Sequence, residues 1–283
     1  FEGKTGICAA PIDGVYHHLD GAGRKHIAIA GTRVAVSWED NHSGAPQVYV
    51  ELKSLQLRDF TAPMLASSGR EAYEPAIAKM TGDRFVLAYE QDASVFARVV
   101  ANEGLTEPVL LGRTSASHAS VAAFDDRIYA SWRERVDGLW FVKVAVLRVD
   151  PANQLSIESS RSIENMGLPT TVLFPAISAN AAGISVAWED RRAGHTRLLV
   201  SHAANARAEF SEPRALNEFF SGRNEYDKGN GVTRVSMAAF GQDETLAAWM
   251  DKRRGSAGYG IFAALGAADT FGPNEKVHGE AGD

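Results

Sequence analysis

The chain has 283 residues, a net charge of −6 and a pI of about 5.8, with 45% hydrophobic and 23% charged residues. This composition is that of a globular protein with a packed core and excludes a disordered or fibrous chain. The acidic balance argues against nucleic acid as a partner, and every apolar run is too short to form a membrane span.

The first 23 residues do not share the repeating pattern of the rest of the chain. We predict that residues 1–23 are a leader segment that packs on a single following domain, residues 24–283. The leader contains the only cysteine, Cys8, which cannot form a disulfide within the chain. We interpret Cys8 as a buried or incidental thiol.

One pattern recurs five times after the leader: an apolar strand ends in an aromatic residue that charged residues follow. The aromatics are Trp38, Tyr89, Trp132, Trp188 and Trp249. They lie about fifty residues apart, a period typical of propeller blades, and no long helical periodicity accompanies them. We predict that these aromatics fill the spaces between blades.

Each repeat divides into four short strands. A strand of small residues, such as 74–78, precedes the apolar strand that ends in the aromatic. A polar hairpin leads to a third strand, and a proline such as Pro63 or Pro213 marks the fourth, because proline is tolerated at a sheet edge. The sequence therefore predicts an all-β fold, a five-bladed β-propeller of four-stranded antiparallel blades. The approximate blades are 24–69, 70–113, 114–168, 169–222 and 223–283.

The charged residues after the aromatics recur in similar form. They include Glu39-Asp40, Glu189-Asp190 and Asp251. We assign them to tight hairpins, in which the aspartates cap backbone N–H groups or pair with a nearby arginine.

Two segments of the fourth repeat resemble a known group of proteins. The run Ala187-Trp188-Glu189-Asp190-Arg191-Arg192 and the strand start Phe210-Ser211-Glu212-Pro213 are similar to repeats of bacterial secreted propellers in the broad sialidase-like superfamily, which has BNR-like repeats. The resemblance covers residues 24 to 280 and implies a propeller in an extracytoplasmic (periplasmic or secreted) location. Sialidases of that superfamily have six blades and Asp-box turns. This chain has five repeats and no clean Asp-box, so we interpret it as a relative that is not a true sialidase.

The loops that enter the first strands are predicted to surround the mouth of the central channel. A shared repeat position, about 14 residues before each aromatic, carries His26, Glu74, His118, Phe174 and Arg234. The first three form a set of two histidines and one carboxylate that suits one divalent metal ion. The alternative is that these histidines bond to loop backbone.

The same loops supply candidates for ligand binding and catalysis. Arginine and tyrosine residues suit an anionic or hydroxyl-rich small molecule or glycan; they are Arg24, Arg70, Tyr73, Arg223 and Tyr226. Glu74 and Glu225 are a candidate acid and base pair, and Arg234 is placed to stabilise developing negative charge. Residues 218–232 form a glycine-rich loop that we predict to be a lid.

Two classes of function remain open. One is an enzyme, either a glycan-directed hydrolase or a metal-dependent enzyme, and the other is a non-catalytic propeller that binds a glycan or a partner protein. The ionisable residues at the shared strand position favour the first class, because a scaffold would accept small residues there. No motif for a nucleotide or haem cofactor occurs. Fold alone does not separate the two classes.

Overall fold

The structure is a computed structural model that describes most of the chain from residue 25 onward. The described ranges are 25–41, 43–54, 62–101, 104–113, 115–164, 167–168, 172–192, 196–218, 231–253 and 259–277.

These residues form 22 strands. In chain order the strands are β1 (Lys25–Ala30), β2 (Arg33–Asp40), β3 (Gln47–Ser54), β4 (Met64–Leu65), β5 (Ala72–Lys79), β6 (Phe85–Gln91), β7 (Ser94–Ala101), β8 (Gly104–Leu105), β9 (Val109–Gly112), β10 (Ala116–Phe124), β11 (Arg127–Val136), β12 (Leu139–Val149), β13 (Leu155–Ser162), β14 (Leu173–Asn180), β15 (Gly183–Asp190), β16 (Arg197–Ala203), β17 (Arg214–Ala215), β18 (Val232–Phe240), β19 (Glu244–Asp251), β20 (Gly260–Ala267), β21 (Thr270–Phe271) and β22 (Glu275–Lys276). Within the described ranges, no helix has the length and apolar character needed to span a membrane.

The strands form five separate sheets, each made of strands that follow one another along the chain. The orders are β1-β2-β3-β4, β5-β6-β7-β8 with β9 also on β7, β10-β11-β12-β13, β14-β15-β16-β17, and β18-β19-β20-β21 with β22 also on β20. Neighbouring strands are antiparallel, so short hairpins can connect them. This architecture confirms the prediction of a five-bladed β-propeller.

The outermost strand is short or interrupted in four of the blades. β4 and β17 have two residues each and directly follow Pro63 and Pro213. In the second and fifth blades, β8 and β9 flank Pro108, and β21 and β22 flank Pro273. Proline interrupts pairing because it has no N–H to donate. The third blade differs, since β13 runs for eight residues without a proline.

Residue contacts divide the chain into two compact units. The first unit is Phe1–Ala130 with Leu147–Ser159, and the second unit is Ser131–Val146 with Ser160–Asp283. In the first unit, side chains of β3 and of β6, including Leu52 and Leu87, share one buried apolar cluster. In the second unit, Leu198 and Val200 of β16 lie in a cluster with Trp249 of β19. Each cluster contains apolar side chains from two successive blades. Neither blade could bury these side chains alone.

The five repeat aromatics occupy matching places in the blades. Each lies near the end of the second strand, and each is almost fully buried; they are Trp38, Tyr89, Trp132, Trp188 and Trp249. Trp38 stacks on Tyr49 and Tyr89 stacks on Phe96, both on the third strand of the same blade. The predicted burial of these residues is confirmed, and Tyr89 and Trp249 pack in clusters that include the preceding blade.

The aspartates that follow the aromatics hold turn arginines. Asp190 accepts bonds from the backbone N–H of Arg192 at 3.0 Å and from its Nε at 2.8 Å. Arg192 also donates to Glu164, at 2.9 Å. The predicted cap and arginine pair are confirmed, and the partner of Asp190 is Arg192.

A buried glutamate in β3 makes the stability of the fold depend on pH. Glu51 is 6% exposed, and its Oε2 has no hydrogen-bond partner among the described residues. Burial raises the pKa of Glu51 from 4.5 to about 7 because it disfavours the charged form. The native state therefore binds the proton more tightly than the unfolded chain, and stability is lost as pH rises from about 4.5 to 7.

We expect Glu51→Gln to remove this loss. At pH 8 the variant should be more stable than the parent chain by about 3 kcal/mol, and near pH 4 the difference should be close to zero. Urea unfolding at both pH values measures it, with exposed Glu107→Gln as the control that should show no such difference. Equal pH dependence in Glu51→Gln and the parent chain would contradict the assignment.

Candidate functional site

The first strands of four blades share an unusual backbone conformation near their start. Glu74, His118, Phe174 and Arg234 have φ values of 50°, 56°, 48° and 60°. In β5, β14 and β18 the ladder shifts register here, so that two residues lie opposite the aromatic of the blade. The structure therefore confirms the shared strand position for these four residues.

A glutamate of the preceding blade fixes three of these strand starts. Each glutamate directly follows a repeat aromatic, and its carboxylate accepts the backbone N–H of the left-handed residue. The bonds are Glu74 N to Glu39 Oε2 at 2.9 Å, His118 N to Glu90 Oε1 at 2.5 Å, and Arg234 N to Glu189 Oε1 at 2.7 Å. The first two bonds lie in the first unit and the third lies in the second unit.

These glutamates correct the sequence-based assignment of Glu39 and Glu189 to tight hairpins. Both lie inside strands and act as clamps on the next blade. Glu189 also accepts the hydroxyl of Thr233, at 2.7 Å, and is almost completely buried. The sequence did carry a signal, since a glutamate follows the aromatic in three of the five repeats.

The third blade carries an arginine where these three blades carry the clamp glutamate. Arg133 donates from Nη1 to the carbonyl oxygen of Val172 at 3.4 Å, just before β14. Its guanidinium carbon lies 4.7 Å from the ring centroid of Trp140. Arg135 lies 5.7 Å from the same ring. Arg133 and Trp140 are not among the site residues predicted from the sequence, because neither belongs to a strand entry loop.

The second unit brings together two residues of the shared strand position, one of which, Arg234, is a predicted site residue. The guanidinium carbon of Arg234 lies 3.8 Å from the ring centroid of Phe174. Arg234 is exposed and Phe174 is half-buried. The ring therefore fixes the plane of an exposed cation, and Arg133 on Trp140 provides a second such pair next to the same strand, β14. This arrangement is suited to a ligand that has a planar anionic group next to an apolar surface of its own.

Acidic groups surround the corresponding strand start in the first unit. Tyr73 precedes Glu74 and is half-buried. Burial raises the pKa of Tyr73, and a hydrogen bond to Glu71 and the negative charges of Glu71 and Glu39 raise it further. The phenol therefore stays protonated at neutral pH and remains a hydrogen-bond donor.

The remaining candidates are placed as follows. Arg70 is exposed, and its carbonyl oxygen accepts a bond from Gln47 Nε2 at 3.2 Å. Four candidates lie outside the described residues: Arg24, Arg223, Glu225 and Tyr226. Most of the predicted lid, 218–232, also lies there.

His26 does not share the strand position of Glu74. Its backbone pairs with Ser37, just before the aromatic, as Ala76 pairs with Ala88 in the second blade. His26 therefore corresponds to Ala76, two residues further along the strand. The described side chains contain no group of three or more His, Cys, Asp or Glu arranged to hold a metal ion, but the His26 side chain is not among them. The set His26, Glu74 and His118 stays a prediction.

Comparisons with known proteins show similarity of fold. No protein-family model and no curated protein sequence matches the chain. Among solved structures, a subtype N10 neuraminidase-like protein of A/little yellow-shouldered bat/Guatemala matches with a TM-score of 0.52 and 7% identity, over 90% of this chain and 81% of that one. An α-L-arabinofuranosidase from Podospora anserina matches with a TM-score of 0.48 and 9% identity, over 88% and 92%. The GH62 α-L-arabinofuranosidase of Coprinopsis cinerea has a TM-score of 0.45 and 7% identity, over 82% and 84%. The first of these structures shares the β-propeller fold with this chain.

Proposed function

We propose that the protein binds an acidic glycan, a carbohydrate with carboxylate or sulfate groups, at the start of β14 and β18 in the second unit. The observation that carries this proposal is the stack of Arg234 on Phe174. Two properties of these residues support it, their strained backbone and the chemistry of their side chains.

The four left-handed strand positions would favour glycine on backbone grounds alone. A left-handed conformation costs a residue with a Cβ about 1 kcal/mol, and glycine avoids that cost. The chain nevertheless places a glutamate, a histidine, a phenylalanine and an arginine there. Strained positions of this kind cluster at binding and catalytic sites. Large ionisable and aromatic side chains at four strained positions therefore favour a ligand over a purely structural role.

The side chains at the start of β14 and β18 indicate which ligand fits. A stacked guanidinium keeps its plane fixed, so its edge donors bind a carboxylate or sulfate as a planar fork. The partly exposed rings of Phe174 and Trp140 add apolar surface beside the guanidinium groups that lie over them. The positive charges of Arg133 and Arg234 outnumber the negative charge of Glu189 at this site, in a chain of net charge −6. This local positive balance selects acidic over neutral glycans.

We expect Arg234→Gln to weaken binding of an acidic glycan. The probe is a hexuronate oligosaccharide, with a neutral hexose oligosaccharide of the same length for comparison, and the measurement is isothermal titration calorimetry. Loss of a charge-assisted bond should lower the affinity for the acidic probe about 10- to 100-fold. The parent chain should prefer the acidic probe, and salt should weaken its binding.

The matched control is Arg207→Gln, which removes one exposed positive charge from the same unit. It should leave the affinity within about twofold, since a distant exposed charge is screened. Equal affinity of Arg234→Gln and the parent chain would refute the site. Equal affinity for the acidic and neutral probes would refute the ligand class.

Three further parts of the proposal need their own readouts. Release of reducing ends from the probe separates a glycan-directed hydrolase from a non-catalytic binding propeller. Metal content measured before and after chelation tests separately for a divalent metal ion at Glu74, His118 and His26. Five blades instead of the six of sialidases support a reaction other than that of a true sialidase. The extracytoplasmic location is supported by the resemblance to secreted propellers.

A further inference from the structure

The first unit contains a cavity at the opposite ends of its innermost strands from Glu74 and His118. Three hairpin turns surround it: Gly31-Thr32 between β1 and β2, residues 80–84 between β5 and β6, and Asp125-Asp126 between β10 and β11. Its volume is about 510 Å³. That volume lies within the range of pockets that hold small molecules.

Hydrogen bonds between neighbouring turns hold the cavity open. The Asp83 carboxylate accepts the backbone N–H of Thr32 at 2.9 Å and its hydroxyl at 3.1 Å. Gly31 permits this approach, because a Cβ at that position would collide with the same carboxylate. Arg84 bonds to the carbonyl oxygen of Thr81 and to the side chain of Asn153. The cavity is therefore formed before any ligand arrives.

The lining combines apolar surface with three charged side chains. Ile29, Met80 and Phe124 supply the apolar part, and Ile29 remains 55% exposed. Lys79 supplies an ammonium, Asp125 supplies a carboxylate, and the Asp83 carboxylate is bonded to Thr32. Among the described residues, neither Lys79 nor Asp125 has a side-chain ion pair or hydrogen bond, so these opposite charges do not neutralise each other.

We propose that this cavity binds a small zwitterionic ligand with an apolar body, an amino acid or dipeptide with aliphatic side chains. Asp125 receives the ligand amine, Lys79 receives its carboxylate, and the apolar side chains contact Ile29, Met80 and Phe124. The opposite charges of the rim select a ligand that carries both charges. Apolar contact with the exposed Ile29 adds affinity. This inference is independent of the glycan site in the second unit.

The test uses the full chain and the dipeptide L-leucyl-L-leucine, with its N-acetylated and C-amidated forms as further probes. Titration calorimetry should show saturable binding of the dipeptide. Asp125→Asn and Lys79→Gln should each weaken it at least tenfold. Asparagine tolerates the left-handed conformation of Asp125, which has a φ of 53°, so the first variant keeps the turn.

Two comparisons separate a specific site from a general effect of charge. Asp126→Asn removes the adjacent exposed carboxylate, which does not line the cavity, and should leave affinity unchanged. The acetylated probe should bind Asp125→Asn and the parent chain equally, because it has no amine for Asp125 to receive. Failure of the dipeptide to saturate the parent chain at millimolar concentration would overturn the proposal, as would equal affinity for Asp125→Asn and the parent chain.

Discussion

Trp249→Ala is expected to lower the free energy of unfolding by about 4 kcal/mol. Trp249 is almost completely buried in β19 and belongs to the apolar cluster with Leu198 and Val200 of the preceding blade. Loss of the ring leaves a cavity, and the cost of removing a large buried side chain combines lost transfer free energy with that cavity. The backbone of two sheets surrounds the site, so little collapse can relieve it.

Urea unfolding followed by fluorescence and circular dichroism measures this effect. The control is Phe240→Ala, which removes an aromatic side chain from the same blade at a position that is 53% exposed. That variant should change the free energy of unfolding by less than about 0.5 kcal/mol. If the two variants lose similar stability, Trp249 does not fill the space between the fourth and fifth blades.

Asp251→Ala is expected to destabilise the protein by about 3 to 5 kcal/mol, because it leaves a buried arginine without its main partner. The Asp251 side chain has no exposure, and it accepts four bonds from Arg253 and Trp249. Three come from Arg253, through its backbone N–H at 2.8 Å, Nε at 3.0 Å and Nη2 at 2.6 Å, and one comes from Trp249 Nε1 at 3.2 Å. All four donors would lose this acceptor.

The matched control for Asp251→Ala is Asp126→Ala. Asp126 pairs with Arg127 at 3.8 Å, and its side chain is 72% exposed. Solvent screens such a pair, so the loss should be below about 1 kcal/mol. Thermal and urea unfolding of both variants at neutral pH decide the question. A loss near that of Asp126→Ala would mean that Glu218 and Asn274, which accept bonds from Arg253 at 3.2 Å and 3.0 Å, hold the arginine without Asp251.

Much of the fold follows from the sequence because the five aromatics mark equivalent places in equivalent units. Trp38, Tyr89, Trp132, Trp188 and Trp249 all lie in the second strand of a sheet, two to four residues before its end. A blade cannot bury its own faces, so each unit repeats the same large side chain at the same place. The prolines likewise indicated the outer strands, since a missing N–H has the same effect in any sheet.

The position of a bulge is harder to predict. Nothing in the residues before Trp188 indicates that Phe174 adopts a left-handed conformation. At the equivalent positions Glu74, His118 and Arg234 the backbone N–H bonds to a carboxylate of the preceding blade, which is distant in the sequence. The sequence-based alignment of His26 with Glu74 and Phe174 was wrong by two residues. β1 and β14 reach their aromatics through turns of the same length, so the position that matches Phe174 is residue 24.

The stack of Arg234 on Phe174 was also beyond the sequence. The two residues come from different blades, and their contact depends on how the blades pack. The role of Arg133 was likewise not predictable from the sequence. It is recognised only because Arg133 occupies the position at which three other blades carry a clamp glutamate. The residue types at the shared strand position were predictable, and the pairs that they form were not.

The outer strand of the third blade, β13, is less protected against pairing with another chain than the outer strands of the other four blades. Four blade edges do not readily accept a further strand, because a proline or a two-residue length interrupts pairing. β13 offers eight residues of proline-free backbone, so only its charged side chains, Glu158 and Arg161, oppose the addition of another strand. Charge is a weaker barrier than a missing N–H, since salt screens it. We therefore expect edge-to-edge association at high salt to begin at the third blade.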